Sequence, residues 1–281
     1  MNRIRIVILG LFISIATLSA QSFNVMTYNI KYDNPGDSLN NWDHRKDMVV
    51  GLIRFHKTEI FGIQEGLHHQ VEYIVQHLPG FHYEGVGRDD GKQKGEYSAV
   101  FYNAERFKRI KGTTFWLSET PDKPSIGWDA ALERICSYVY LMDKKSGEKM
   151  WIFNAHLDHM GPKARLESLK LIHRKIDEMN TENDPVILMG DFNSTPVDAP
   201  IVFISQHYTD TKMLSKESPY GPDATFNGFF FHKIPKNRID YIFVNKKVGD
   251  VNRYGVLTDS KDCHYPSDHF PVLAEIVLTK K

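Results

Sequence analysis

The stretch Pro185-Val186-Ile187-Leu188-Met189-Gly190-Asp191-Phe192-Asn193 decides how the rest of the chain is read. Its short apolar run has the composition of a buried strand. It ends in Gly190 and then in two polar side chains, Asp191 and Asn193, flanking Phe192. On an extended chain, side chains two apart point the same way. Asp191 and Asn193 are therefore expected to face together from the end of a core strand. A carboxylate there can take a proton from water, and an amide beside it can hold that water or a phosphate oxygen. Taken alone, the stretch also fits a strand closing in an ordinary Asn-Ser-Thr-Pro turn.

Working outward, polar chemistry recurs wherever an apolar run stops. Phe23 to Ile30 alternates as a strand and closes on Tyr28-Asn29, and Glu59 to Ile63 leads into Gln64-Glu65. Met150 to Ala155 leads into Asn154-Ala155-His156-Leu157-Asp158-His159. Ile239 to Val244 carries Asp240 behind Arg238, and Ser267-Asp268-His269 opens a strand from Phe270 to Leu278. Tyr97 to Asn103 and Ile135 to Met142 also read as strands. Helical spacing marks Trp42 to His56, His69 to Leu78 and Arg165 to Met179. Strands interleaved with helices and hairpins fit mixed sheets covered by helices better than a purely parallel sheet. Strand ends gathered on one edge would form a site that the sheets hold rigid.

Composition bounds the reading. The chain has 281 residues, close to the upper size of one hydrophobic core, with 41% apolar and 25% charged residues. Lys+Arg and Asp+Glu balance at 35 each, so no whole-molecule field recruits nucleic acid; a polyanion would need a local basic cleft. Arg3 and Arg5 precede an apolar stretch from Ile6 to Ala20. That pattern is a secretory signal over residues 1–20, which implies export to the periplasm or beyond; an uncleaved anchor is the alternative. Residues 21–281 then form one domain, expected to be a monomer with no stable membrane insertion. Cys136 and Cys263 are the two cysteines. They lack metal-site spacing and are read as free thiols, with pairing as the alternative in an oxidising compartment.

The acids Glu65, Asp191, Asp240 and Asp268, the amides Asn29 and Asn193, and the imidazoles His156 and His269 form a mostly hard-oxygen set. Such donors suit Mg²⁺ or Mn²⁺ rather than structural zinc. No Gly-x-x-x-x-Gly-Lys loop and no Gly-x-Ser-x-Gly elbow is present, which disfavours P-loop phosphoryl transfer and serine esterase chemistry.

Tyr28-Asn29, Gln64-Glu65, Asn154-Ala155-His156-Leu157, Gly190-Asp191-Phe192-Asn193, Arg238-Ile239-Asp240-Tyr241 and Ser267-Asp268-His269 resemble, in order, the motifs of the endonuclease/exonuclease/phosphatase superfamily. The resemblance covers nearly all of the chain after residue 20. It implies a DNase I-like four-layer α/β sandwich, two mixed β-sheets face to face with helices outside, and hydrolysis of phosphoric esters by in-line attack of water. It also implies roles. Glu65 would bind the metal with Asn29 beside it and Asp268 on the same side. Asp191 would orient or deprotonate water, and Asn193 would hold that water or a phosphate oxygen. His156 would contact the phosphate, and His269 would act with Asp240 as its partner.

The substrate is less legible. Phe115-Trp116-Leu117-Ser118, Gly127-Trp128-Asp129-Ala130-Ala131 and His156 to Gly161 resemble a bacterial secreted subgroup with some likeness to the CCR4-type deadenylases. This favours a phosphodiesterase, a nuclease and in particular a 3′–5′ exonuclease on RNA or oligonucleotides. A phosphomonoesterase on inositol phosphates, a sphingomyelinase-like enzyme and a non-catalytic phospholigand-binding module stay open. Arg134 and Arg165 could clamp a phosphate bidentately; Arg165, at the start of a helix, serves equally as a surface ion-pair residue. Phe226, Phe229, Phe230 and Phe231 could stack bases, fill the core or face lipid.

Overall fold

The computed structural model describes residues 22–278. The leader assigned to residues 1–20 lies outside them. Among the described residues no helix is long and apolar enough to cross a membrane.

In chain order, β1 (Ser22–Asn29), α1 (Trp42–Phe55) and β2 (Thr58–Gln64) form a crossover unit whose two strands run parallel. Parallel neighbours need such a return, and the helix supplies it. Asn41 starts α1 by accepting the His44 N–H. After α2 (His68–His77) come β3 (Phe81–Glu84), β4 (Val100–Asn103) and β5 (Phe107–Trp116). A second crossover unit follows an antiparallel strand, β6 (Ile135–Asp143): β7 (Lys149–His156), α3 (Pro162–Met179) and β8 (Val186–Asp191), with β7 and β8 parallel. The chain ends with α4 (Ala199–Ile204), β9 (Thr209–Asp210), α5 (Thr211–Leu214), β10 (Asp240–Val244), β11 (Val248–Val256) and β12 (Val272–Leu278).

Two six-stranded mixed sheets result, in the orders β11-β12-β1-β2-β4-β3 and β5-β6-β7-β8-β10-β9. Val25, Ile60, Ile152, Ile187, Met189 and Ile242 fill the space between them. Met26, Tyr28, Phe61 and Ile63 pack outward against α1 and α2; Phe153, Leu188 and Phe243 pack outward against α3 and α4. This is the four-layer α/β sandwich expected from the motifs.

The period of two explains where the site is. In β1 the inward row runs Phe23, Val25, then Thr27 and Asn29; in β8 it runs Ile187, Met189, then Asp191. The same parity carries β7 from Ile152 to Asn154 and His156, and places Asp240 inward beside Ile242. The inter-sheet face thus turns from apolar to polar at one end. A belt of hydrogen bonds marks the change. Gln64 donates to Asn154 Oδ1 (2.6 Å) and Thr27 Oγ1 (3.0 Å), and Asn154 donates to the carbonyls of Ile63 (2.8 Å) and Ala99 (3.0 Å). Gly62 permits this closeness, since a Cβ there would lie 2.5 Å from the Asn154 side chain.

Several elements escape the sequence pattern. Edge strand β5 exposes Lys108 to Lys111 and so carries no inward alternation. Register shifts within the β11–β12 pairing break the alternation of β11. Cys136 is buried in β6 and Cys263 is exposed; both thiols are free.

Candidate active site

Strand register assembles the site. His156 pairs with Asp191 across β7 and β8, and Asp191 pairs with Asp240 across β8 and β10. Their side chains face Asn29 of the other sheet. Asn29 Nδ2 donates to Asp191 Oδ2 (2.9 Å) and Glu65 Oε1 (3.0 Å) and lies 3.4 Å from His269 Nε2. His156 Nε2 and His269 Nε2 stand 3.6 and 3.8 Å from Asp191 Oδ2. Asp191 is thus the hub, buried at 1% exposure. His269 enters from the loop before β12. Its Nδ1 meets Asp240 Oδ2 at 3.0 Å, and Ser267 Oγ ties the loop to the Asn29 carbonyl at 2.6 Å.

Asn193 reaches the site differently from the extended spacing. β8 ends at Asp191, and Asn193 turns back in the left-handed region (φ +45°). Its backbone N–H donates to Asp191 Oδ1 (2.9 Å), and its Nδ2 lies 3.0 Å from the Leu157 carbonyl and 3.2 Å from His156 Nε2. Glu65 is also left-handed (φ +62°). Such conformations cost about 1–3 kcal/mol each and persist where the surroundings enforce them. Here the bonds from Asn29 and from the Tyr32 N–H (3.2 Å) fix both Glu65 oxygens.

Charges are tuned by this packing. Burial, reinforced by Asp240, pushes the Asp191 carboxyl up to about 7. Burial works against a charged His269, but Asp240 and Asp191 outweigh it and hold the imidazolium up to about 10. His156 is driven well below its ordinary value by burial and then by Arg134 and Arg88. Burial would raise Glu65, yet Lys31 and His269 bring it below its ordinary value, whereas burial keeps Asp268 above its own. Lys31 Nζ lies 3.4 Å from Glu65 Oε2 and 3.9 Å from Asp268 Oδ2.

The cluster opens into a cleft of about 650 Å³, lined also by Lys31, Tyr32, Glu96, Arg134, His159 and Phe226. Arg134 is buried and spans Asp158 Oδ1 (3.2 Å), His156 Nδ1 (3.2 Å) and His159 Nδ1 (2.9 Å). Arg165 does not reach the cleft. Its guanidinium donates to the Asp158 carbonyl (3.1 Å), because α3 points it beneath that loop. Asn29 Oδ1 accepts the Lys31 N–H (3.0 Å), and its amide nitrogen donates to the Asp191 and Glu65 carboxylates. Of the phenylalanines, Phe226 lines the cleft 5.1 Å from the His269 ring. Phe229 lies under Arg45, Phe231 meets Tyr265, and Phe230 is exposed. Lys31 and Glu96 are cleft residues that sequence reasoning missed. Lys31 sits two residues past Asn29, a signal that was available; Glu96 had only its place before an apolar run.

The profile of the Endonuclease/Exonuclease/phosphatase family matches residues 26–269. The chain belongs to that family. Solved structures agree with it. An endonuclease/exonuclease/phosphatase family protein from Bacteroides thetaiotaomicron is 41% identical, with 92% of this chain and 96% of that one covered and a TM-score of 0.88. A mannosyl-6-phosphatase from Bacteroides thetaiotaomicron VPI-5482 is also 41% identical, with 92% and 100% covered and a TM-score of 0.86. The CCR4-Not complex 3′-5′-exoribonuclease subunit Ccr4 of Mycosarcoma maydis is 22% identical over 91% of this chain and 50% of its own length. The chain spans between half and two thirds of the curated relatives it matches first. Family membership places the protein in the superfamily of nucleases and phosphatases, whose members hydrolyse phosphoric esters.

Proposed function

We propose that the protein is a divalent-metal-dependent phosphomonoesterase acting on a small sugar phosphate. The charge balance of the cleft carries this reading. Glu65, Glu96, Asp191 and Asp268 line it, against Lys31, Arg134 and the His269 imidazolium, and each of these cations is already paired with a carboxylate. A nucleic-acid track would need a stripe of unneutralised Lys and Arg along the strand's path. A cleft of about 650 Å³ suits one small ester. The 41% identity to a mannosyl-6-phosphatase over that protein's full length supports a hexose 6-phosphate.

The residues fit a divalent cation. Glu65 is half-buried and Asp268 buried, with Lys31 as a shared counter-charge, and Asp240 Oδ1 is buried without a hydrogen-bond partner among the described residues. The donors are hard oxygens, so Mg²⁺ or Mn²⁺ would be held by Glu65 and Asp268. Such an ion neutralises charge on phosphate oxygens. Asp191, held near neutrality in its titration, takes the proton of the attacking water while Asn193 orients that water. The His269 imidazolium, held by Asp240, donates to the phosphate oxygens where negative charge develops. His156 and Arg134 grip the ester from the other side of Asp191.

A second reading is a nuclease, favoured by Phe226, whose ring in the cleft could stack a base. The test is a hydrolysis panel with Mg²⁺ or Mn²⁺, then with chelator, beside Asp191→Ala. It holds mannose 6-phosphate, inositol phosphates, sphingomyelin, single-stranded RNA and DNA, and p-nitrophenyl phosphate. Metal-dependent phosphate release from mannose 6-phosphate, lost in Asp191→Ala, is expected. Preferred cleavage of RNA or DNA overturns the sugar reading, and no turnover of any ester, with phosphate still bound, favours a binding module. The leader implies that this hydrolysis occurs outside the cytoplasm, which fractionation of the source cells checks.

A further inference from the structure

Glu96 is not used by the hydrolytic machinery above, yet it faces the same cleft. It lies in the segment between β3 and β4, and the Arg88 N–H donates to its carbonyl (3.1 Å), folding that segment back on itself. Its side chain is largely buried, at 17% exposure, and lines the cleft with Arg134, His156 and His159. One oxygen, Oε2, is held by Arg88 Nη1 at 2.6 Å and lies 3.8 Å from His156 Nδ1. Arg88 is in turn fixed by its carbonyl, which accepts the Trp116 indole N–H at 2.7 Å. The carboxylate is therefore anchored on one side and open to the cleft on the other.

We propose that Glu96 is a substrate-contacting residue that reads hydroxyl groups on the ester's alcohol portion and so selects a polyhydroxyl phosphate, such as a hexose 6-phosphate, over esters without hydroxyls. The inference rests on the phosphomonoester reading above and deepens it. A carboxylate offers acceptors only, and phosphate oxygens are acceptors too. Placed beside the phosphate-gripping His156, Glu96 repels the phosphate itself, so what settles against its open side must bring donors. The hydroxyls of a sugar do so; the deoxyribose backbone and an aryl group do not. A buried group built to bond a hydroxyl also penalises the ligand that lacks one, because it is then desolvated without a partner.

The test compares kcat/KM for mannose 6-phosphate with kcat/KM for p-nitrophenyl phosphate, in wild type, Glu96→Ala and Glu96→Gln, at saturating Mg²⁺. The ratio is expected to fall at least tenfold in Glu96→Ala, mainly through KM for the sugar ester. Glu96→Gln keeps the size of the side chain and an acceptor for Arg88, and is expected to fall by an intermediate factor of at least threefold. Thermal melts establish that each variant is folded, and Glu96→Gln alone decides the matter if Glu96→Ala is not. Ratios that stay within threefold of wild type in every folded variant overturn the subsite while leaving the sugar phosphatase standing. A wild type that hydrolyses p-nitrophenyl phosphate but no hexose 6-phosphate overturns the sugar reading, and the subsite falls with it.

Discussion

The two ends of β1 meet charge in opposite ways. At the Ser22 end, the buried Arg106 guanidinium donates to both Glu59 oxygens (2.7 and 2.9 Å), to Asp143 (3.0 Å) and to the Ser22 carbonyl (3.1 Å). One cation is enclosed by acceptors, beside a groove of about 960 Å³. At the Asn29 end, Glu65, Asp191, Asp240 and Asp268 crowd around Lys31 and His269, and Asp240 Oδ1 has no hydrogen-bond partner among the described residues. The cleft there is the smaller of the two, about 650 Å³. Size does not mark the chemistry; acid held in excess of its counter-charge does. One end is settled by folding, and the other is kept unsettled for a ligand.

Mutations can break this contrast. Asp191→Ala is expected to lower kcat by about 10²–10⁴-fold, the worth of a positioned base, without lowering the melting temperature of the metal-free protein. It removes a buried carboxylate from beside Asp240. Phosphate-release kinetics and calorimetry check both halves, and a clear loss of stability would make the two ends alike. Arg106→Ala should do the reverse. Leaving Glu59 and Asp143 without their cation is expected to cost about 3–5 kcal/mol in denaturant unfolding, with kcat per folded molecule unchanged.

A subtler contrast lies in pH. Asp240 and Asp191 hold the His269 imidazolium up to about 10, above the ordinary histidine value of 6.5. A raised folded-state value means that its stabilisation is complete below about 6.5 and is lost as pH rises towards about 10. Melting temperatures between pH 7 and 10 should fall more steeply in wild type than in Asp240→Asn, where the main source of the raise is gone. Parallel curves would show that the Asp240–His269 pair is not an ion pair. That substitution should also lower kcat far more than it changes KM, because His269 answers charge that develops during reaction. The smallest effect is expected from Arg165→Ala. Its hydrogen bond to the Asp158 carbonyl lies outside the cleft, so kcat/KM should move less than about threefold and stability about 0.5–1.5 kcal/mol.

Much of the fold and the strand-end part of the site were legible because both follow one rule. The alternation that buries Val25 and Ile187 also aims Asn29 and Asp191, so a reader of the core reads the site. What escaped depends on contacts distant in sequence. Glu96 gains its place only because its segment folds against His156, and Lys31, although its position two residues past Asn29 was legible, gains its charged partners only because Glu65 and Asp268 converge on it. Arg165 misled because helix phase does not say which neighbour lies above the helix. β5 was missed because an edge strand that exposes Lys108 to Lys111 carries no apolar rhythm.

The belt of Thr27, Gln64 and Asn154 has a consequence for engineering. It seals the apolar interior from the cleft with bonds of 2.6 to 3.0 Å, at a level where Gly62 leaves no spare room. Above it, the segments bearing Leu132 and Thr195 line the cleft without adding a bond to the belt, whereas the segment bearing Glu96 supplies the Ala99 carbonyl to it. A library built on this scaffold should vary the segments of Leu132 and Thr195 and leave untouched the belt, Ala99 and the Thr225–Asn227 stretch, whose Thr225 Oγ1 accepts the Asp240 N–H and whose Asn227 N–H donates to the Asp268 carbonyl.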